Sequence, residues 1–316
     1  MPPPERDPGI DAFRGLAILA MVAVNFLASA HATPAWLRHA RDVGFTVTDA
    51  VAPAFVLAMG LTLGAAFQRR FERNGALEAV LHTLRRSLAL LGLGCLFGAG
   101  EILLGENEGG FNWGVLQALG TAGLVALPWL RAPAWGRVLA ALGVLAVYQV
   151  LLDGVWLESV MAQPHGGLQG SLAWGAMLLL ATAMPAVRRW RWGVPVAGLA
   201  LVAAALVLAL LVPVSKHRVS ASYVLLSTGT SALALAAVDL AVWARAPLDW
   251  LRAWGKNPLA LYVLHLFVLA FVALPSAQGW HAEAGWPLLL GQLAVVLALL
   301  HAVAGVLERR GVVLSL

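Results

Sequence analysis

Three features of this sequence predict an all-α, polytopic membrane protein: an excess of apolar residues, a shortage of charge, and long apolar runs at regular spacing. Of 316 residues, 60% are hydrophobic and only 12% charged, and the mean hydropathy is +0.81. Soluble domains are roughly a quarter charged, so a soluble globular enzyme, a disordered chain and a nucleic-acid binder are excluded. The single cysteine, Cys95, rules out an internal disulfide or a cysteine-built zinc cluster.

A spanning helix needs roughly 20 mostly apolar residues. Ten stretches qualify, at about 9–30, 46–68, 77–104, 112–130, 137–156, 168–187, 193–214, 220–244, 257–275 and 286–307. Connections of about a dozen residues at most leave no room for a soluble domain, so residues 1–316 read as a single transmembrane domain. The first stretch opens on Asp11 and Arg14 and lacks a small-residue cleavage site, unlike a signal peptide.

Orientation follows from Lys and Arg. With the N-terminus inside, 17 of the 21 basic residues fall on the cytoplasmic side, and only Arg38, Arg41, Lys216 and Arg218 fall outside. Glu101, Glu106, Glu108, Asp153, Glu158 and Glu283 also lie outside. An even number of spans with both termini cytoplasmic satisfies every loop. The net charge of +5 is therefore a topology signal and calls for no nucleic-acid partner; the partner it implies is the lipid bilayer. Most of the 13 Trp, among them Trp36, Trp129, Trp190, Trp250 and Trp254, fall near predicted span ends, as an interfacial belt does.

Polar groups inside spans are costly and default to functional candidates. They concentrate in the first two spans. Arg14 and Asn25 are 11 residues apart, about 16 Å along a helix, which puts a cation at the inner surface and an amide near the outer one on one stripe. Asp11 and Arg14 also have the spacing of an i,i+3 ion pair. Beyond Asn25 comes an outer loop with His31 and His39. Thr46-x-x-Asp49 has capping-box spacing, and Pro53, four residues on, should bend the helix by clashing with the Asp49 carbonyl. Asp49 could also orient His39, as the third member of a nucleophile–base pairing does. Other embedded groups, Gln117, Gln149, Gln169, Asp239, Asn257, His265, Gln292 and His301, read as inter-helix hydrogen bonds, with a proton relay through Asp239, His265 and His301 as the alternative. Cys95 reads as a packing residue in an apolar run. None of these groups calls for a metal.

The pattern Asp11-Ala-Phe-Arg14-Gly15, Val24-Asn25, His39-Ala40, Gly44, Thr46, Asp49, Pro53, Phe55, Gly60 resembles the heparan-alpha-glucosaminide N-acetyltransferase family. The likeness continues through Arg86-Ser87, Gly114 to Gly120, Gly166 to Gly170, Pro213-x-x-Lys216, Ser220-x-Ser222-Tyr223 and Gly255-Lys256-Asn257-Pro258-x-x-x-Tyr262. The resemblance implies a transmembrane acyltransferase that takes acetyl from cytosolic acetyl-CoA, as co-substrate, to an amine or hydroxyl of an amino-sugar acceptor on the extracytoplasmic side. It implies catalytic roles for His39 and Asn25, with Asp49 orienting the base. Cofactor contacts fall to Arg14, Arg85, Arg86, Gln117, Lys256, Asn257 and Tyr262, and acceptor contacts to Asp42, Lys216, Ser222 and Tyr223. It also admits a homodimer. The loop from Asn25 to His39 is longer than the family's, which makes His31 a rival base. Asp42 replaces the aromatic expected three residues after the histidine. An Ala- and Arg-rich chain without a glycosylation sequon fits a bacterial inner membrane. The rival readings are a polytopic small-molecule transporter or flippase without CoA chemistry, and a non-catalytic subunit on the same scaffold.

Overall fold

The computed structural model describes residues 6–103, 111–273, 275 and 279–314, and among these there is helix and no strand. Leu104, Glu106, Glu108 and Leu274, which the span and loop readings include, lie outside the described residues. The helices are α1 (Pro8–Ala28), α2 (Val51–Leu103), α3 (Val115–Ala126), α4 (Ala134–Leu151), α5 (Leu157–Met161), α6 (Gly167–Arg188), α7 (Gly193–Leu208), α8 (Ala221–Trp243), α9 (Asp249–Lys256), α10 (Pro258–Ala273) and α11 (Trp286–Arg309).

By length and composition, six helical segments among the described residues suffice to cross a membrane, or seven if α9 and α10 form one bent span. Three physical causes separate this count from the ten apolar stretches. The second and third stretches share α2, which is broken only at Gly75, whose φ of 86° and ψ of 175° are non-helical. Glycine reaches that conformation without a Cβ penalty. Secondly, the helical segments Val115–Trp129 and Gly193–Leu208 are short, roughly 22–24 Å at 1.5 Å per residue, against about 30 Å of hydrocarbon. Thirdly, α9 and α10 meet at 86°, because Pro258 has no N–H to continue the ladder and keeps Asn257 out of helical geometry (φ −130°, ψ 52°).

The chain divides into two compact units. The first contains Met1–His39, Thr46–Phe55 and Ala234–Ser315. Its core joins Ile18, Val22 and Phe26 of α1 to Trp254, Leu261, Leu289, Val296 and Leu300. Here α1 and α9 touch backbone to backbone. A Cβ on Gly15 would lie 1.9 Å from the Leu251 carbonyl oxygen, and one on Gly255 would lie 1.7 Å from that of Asp11. Small residues permit this approach, and close packing drives helix association in lipid. Trp254 departs from the belt reading: it is buried, and its indole N–H donates to His301 Nδ1 at 3.1 Å. Trp36, Trp129, Trp190 and Trp250 are exposed.

The second unit contains Ala40–Phe45 and Val56–Leu233. Beyond Gly75 the second limb of α2 runs back along the first, since a Cβ on Gly123 would meet both Ser87 Oγ and Met59 Cε. α3 lies antiparallel to that second limb, with Gly120 against Leu91 and Gln117 against Gly94. α6 packs on both α3 and α4 and is buried almost all round from Ala173 to Met184.

Replacing Gly15 by Ala should separate α1 from α9. Overpacking of this kind costs typically about 1–3 kcal/mol. Gly143, in α4, has nothing within 4 Å of an added Cβ, so Gly143→Ala should be neutral or stabilise by up to about 1 kcal/mol. Thermal unfolding of the two variants in detergent, followed by tryptophan fluorescence, should show Tm falling for Gly15→Ala only.

Candidate functional site

The loop after α1 is built around one carboxylate. A single tight turn, Val47–Ala50, precedes α2, and within it Asp49 is 0% exposed. Asp49 Oδ2 accepts from the Thr46 backbone N–H at 2.9 Å and lies 3.0 Å from Thr46 Oγ1. Its Oδ1 is 2.7 Å from His39 Nδ1. Thr46 Oγ1 also lies 2.8 Å from the Arg38 carbonyl, and Thr48 Oγ1 donates to the Leu37 carbonyl at 2.8 Å. Two threonines therefore hold the backbone that carries His39, while the carboxylate holds its ring. An ionised carboxylate only accepts, so Nδ1 carries the proton and Nε2 is the basic nitrogen. The His39 side chain is 41% exposed.

At Pro53 the backbone stays helical, and the change of geometry comes just before it, where the tighter Val47–Ala50 turn passes into α2. Pro53 is the third residue of α2, where an N–H has no intrahelical partner in any case. The strain against the Asp49 carbonyl is met instead by the tighter Val47–Ala50 turn. His31 is exposed, and its backbone N–H donates to the Ala282 carbonyl at 2.7 Å. Its ring has no carboxylate partner among the described residues, which separates it from His39.

On α1, the predicted stripe is continuous from Arg14 to Asn25. Asp11, buried, accepts from Arg6 (2.9 Å) and from Arg14 (3.3 Å), so the i,i+3 pair forms. Asn25, half-buried, places Nδ2 3.0 Å from His265 Nε2. Sequence reasoning treated these two residues separately. Nothing in a 240-residue separation signals that they meet.

The other expected cofactor contacts fare differently. Arg85 is exposed and Arg86 partly buried, and neither has a hydrogen-bond or ion-pair partner among the described residues. Gln117 is buried, with Nε2 3.4 Å from the Asn112 carbonyl and Oε1 against Gly94 and Gly114, which is a packing role. Lys256 pairs with Glu308 at 2.6 Å. Asn257 is buried and clamps the C-terminal backbone, donating to the Val312 carbonyl (2.9 Å) and accepting from the Leu314 N–H (2.7 Å). Tyr262 gives its carbonyl to His265 Nδ1.

The expected acceptor contacts lie in the second unit. Asp42 is held by Arg218, through Nε at 2.9 Å and also through Nη2, and by Ser215 Oγ at 2.8 Å. The Gly44 N–H donates to the Val214 carbonyl at 2.8 Å. Asp42 therefore pins the loop after His39 to the segment around residue 215, in place of the stacking surface an aromatic would offer. Ser222 is buried, with its hydroxyl on the Pro213 carbonyl (3.1 Å), and Tyr223 is buried with its ring near Phe45 and Trp174. Lys216 is half-exposed. Arg218 was missed as a site residue, although one of only four outer cations opposite Asp42 is the signal that could have found it.

The guanidinium of Arg218 holds the Asp42 carboxyl below the usual carboxylate range. The ion pair therefore stabilises the fold fully above about pH 4, and its contribution disappears as pH falls through the lowered value. Asp42→Asn should cost up to about 1 kcal/mol at pH 7. Thermal unfolding across pH should show the variant and parent converging at the acidic end.

A family model described as heparan-alpha-glucosaminide N-acetyltransferase, catalytic, matches residues 6–167. No curated protein matches the chain. The matched stretch takes in Arg14, Asn25, His39, Asp49, Arg85 and Arg86 and covers just over half of the sequence. On this match and its long apolar helices, the chain belongs to the heparan-alpha-glucosaminide N-acetyltransferase family and is a membrane transferase.

Proposed function

We propose that the protein moves an acetyl group from cytosolic acetyl-CoA to an amine or hydroxyl of an amino-sugar acceptor on the extracytoplasmic side of a bacterial inner membrane. The chain then crosses ten times with both termini cytoplasmic, as its Lys and Arg distribution suggests. The observation that carries this reading is the buried Asp49 carboxylate on His39 Nδ1. A fixed Nδ1–H tautomer leaves Nε2 basic, which is what a general base needs.

The acceptor nitrogen or oxygen attacks the thioester carbonyl carbon while its proton passes to His39 Nε2. The tetrahedral intermediate collapses as the carbon–sulfur bond breaks, and the thiolate leaves to become CoA–SH on protonation. Asn25 donates an N–H to the developing oxyanion. One such donor in a dry site is worth roughly 3 kcal/mol. Arg14, Arg85 and Arg86 are the proposed ligands for the cofactor's phosphates, since cations on a helix-lined mouth suit phosphate. The long apolar spacing from Arg14 to Asn25 suits the extended pantetheine arm.

Two outcomes are expected. In a thermal-shift titration, acetyl-CoA at 100 times its Kd should stabilise the protein by about 2.7 kcal/mol. The effect should weaken with 3′-dephospho-CoA and in Arg86→Ala. No shift at millimolar acetyl-CoA overturns the reading. In an assay of thiol release from acetyl-CoA with glucosamine as acceptor probe, His39→Ala should lose about 10²–10⁴-fold in kcat and keep the acetyl-CoA thermal shift, while His31→Ala stays near the parent. Near-parental turnover in His39→Ala removes the base assignment.

A further inference from the structure

We propose that His265 is a positioning residue that sets the orientation of the Asn25 amide, a role that rests on Asn25 acting as the oxyanion donor. The break at Pro258 turns α10 by 86° from α9, and along α10 only Leu261 and His265 are buried. His265 is 0% exposed. Both of its ring nitrogens have defined neighbours. Nδ1 meets the Tyr262 carbonyl one turn back on the same helix, and Nε2 meets Asn25 Nδ2 at 3.0 Å.

A carbonyl oxygen can only accept, so Nδ1 carries the hydrogen. In a neutral imidazole the other nitrogen is then an acceptor. Nε2 therefore takes one of the two Asn25 Nδ2 hydrogens, and the amide cannot turn over to present Oδ1 on that side. The second Nδ2–H is thereby fixed in direction on a side chain that is only half buried. A donor oriented before reaction needs no reorganisation when charge develops, and a group held within about 10–20° of its working direction needs a locked neighbour of this kind. Tyr262 completes the arrangement, since its ring lies edge-on to the imidazole with centroids 5.0 Å apart. The chain thus uses two histidines for different work: His39 to take a proton, and His265 to accept one hydrogen bond.

Two substitutions of similar polarity separate positioning from packing. His265→Gln keeps an acceptor at the reach of Nε2, whereas His265→Asn reaches only as far as Nδ1. With glucosamine as probe, His265→Asn should lower kcat about tenfold or more, with the acetyl-CoA thermal shift unchanged, and His265→Gln should recover to within about threefold of the parent, on the scale of a lost oxyanion donor. In the Asn25→Ala background, His265→Asn should have no further effect. Equal losses in both single variants, or the same loss in the Asn25→Ala background, overturn positioning while leaving the transferase reading standing. If Asn25→Ala keeps parental turnover, the oxyanion role of Asn25 and the positioning role of His265 fall together, while the transferase reading stands. An acceptor-independent check uses 15N-histidine labelling. The resonance lost in His265→Gln should report a neutral Nδ1–H ring at pH 7, and an Nε2–H ring or an imidazolium overturns the proposal.

Discussion

A carboxylate removed from water is tolerated only where its lone pairs meet donors, and the loop between α1 and α2 is organised by meeting that requirement at Asp49. Its donors are the Thr46 backbone N–H and the His39 ring, with the Thr46 hydroxyl, whose one hydrogen lies between Asp49 and the Arg38 carbonyl, beside them. One residue thereby starts a helix, closes a loop and orients an imidazole. Removing it would leave a helix start without its cap and a histidine without its tautomer. The tight turn before α2 belongs to the same constraint, because Pro53 denies the Asp49 carbonyl its usual partner four residues on.

The first helix carries this arrangement to both sides of its unit. At one end Asp11 gathers Arg6 and Arg14, and at the other Asn25 meets His265. Between them, α1 lies on α9 with glycine against carbonyl on both sides. Polar groups inside an apolar span would be expensive if left alone. Here Asp11 finds its partners beside it in sequence and Asn25 finds His265 on a distant helix, and backbone contact close enough to exclude a methyl group keeps α1 and α9 in register.

The loop that carries Asp42 shows how a departure from a family's pattern can be absorbed by the fold. An acidic side chain takes the place of an aromatic, and its charge is matched by Arg218 and the Ser215 hydroxyl. The loop is tied down by an ion pair. Lys256 and Asn257, at the C-terminal end of α9, are likewise occupied, by Glu308 and by the C-terminal backbone.

The helical class, the apolar spans and the His39–Asp49 relation were legible in the sequence because each rests on local chemistry: the length of an apolar run, the spacing of a capping box, the type of residue beside it. Family membership was legible in the same way, from short motifs in fixed order. Tertiary structure alone decided the rest. It made Trp254 a core residue and not a belt residue, turned Asp42 toward Arg218, and folded α2 back on itself at Gly75. It also brought His265 to Asn25. Those outcomes depend on which distant backbone arrives beside a residue, and composition and periodicity describe a helix's own surface without naming the helix that will cover it.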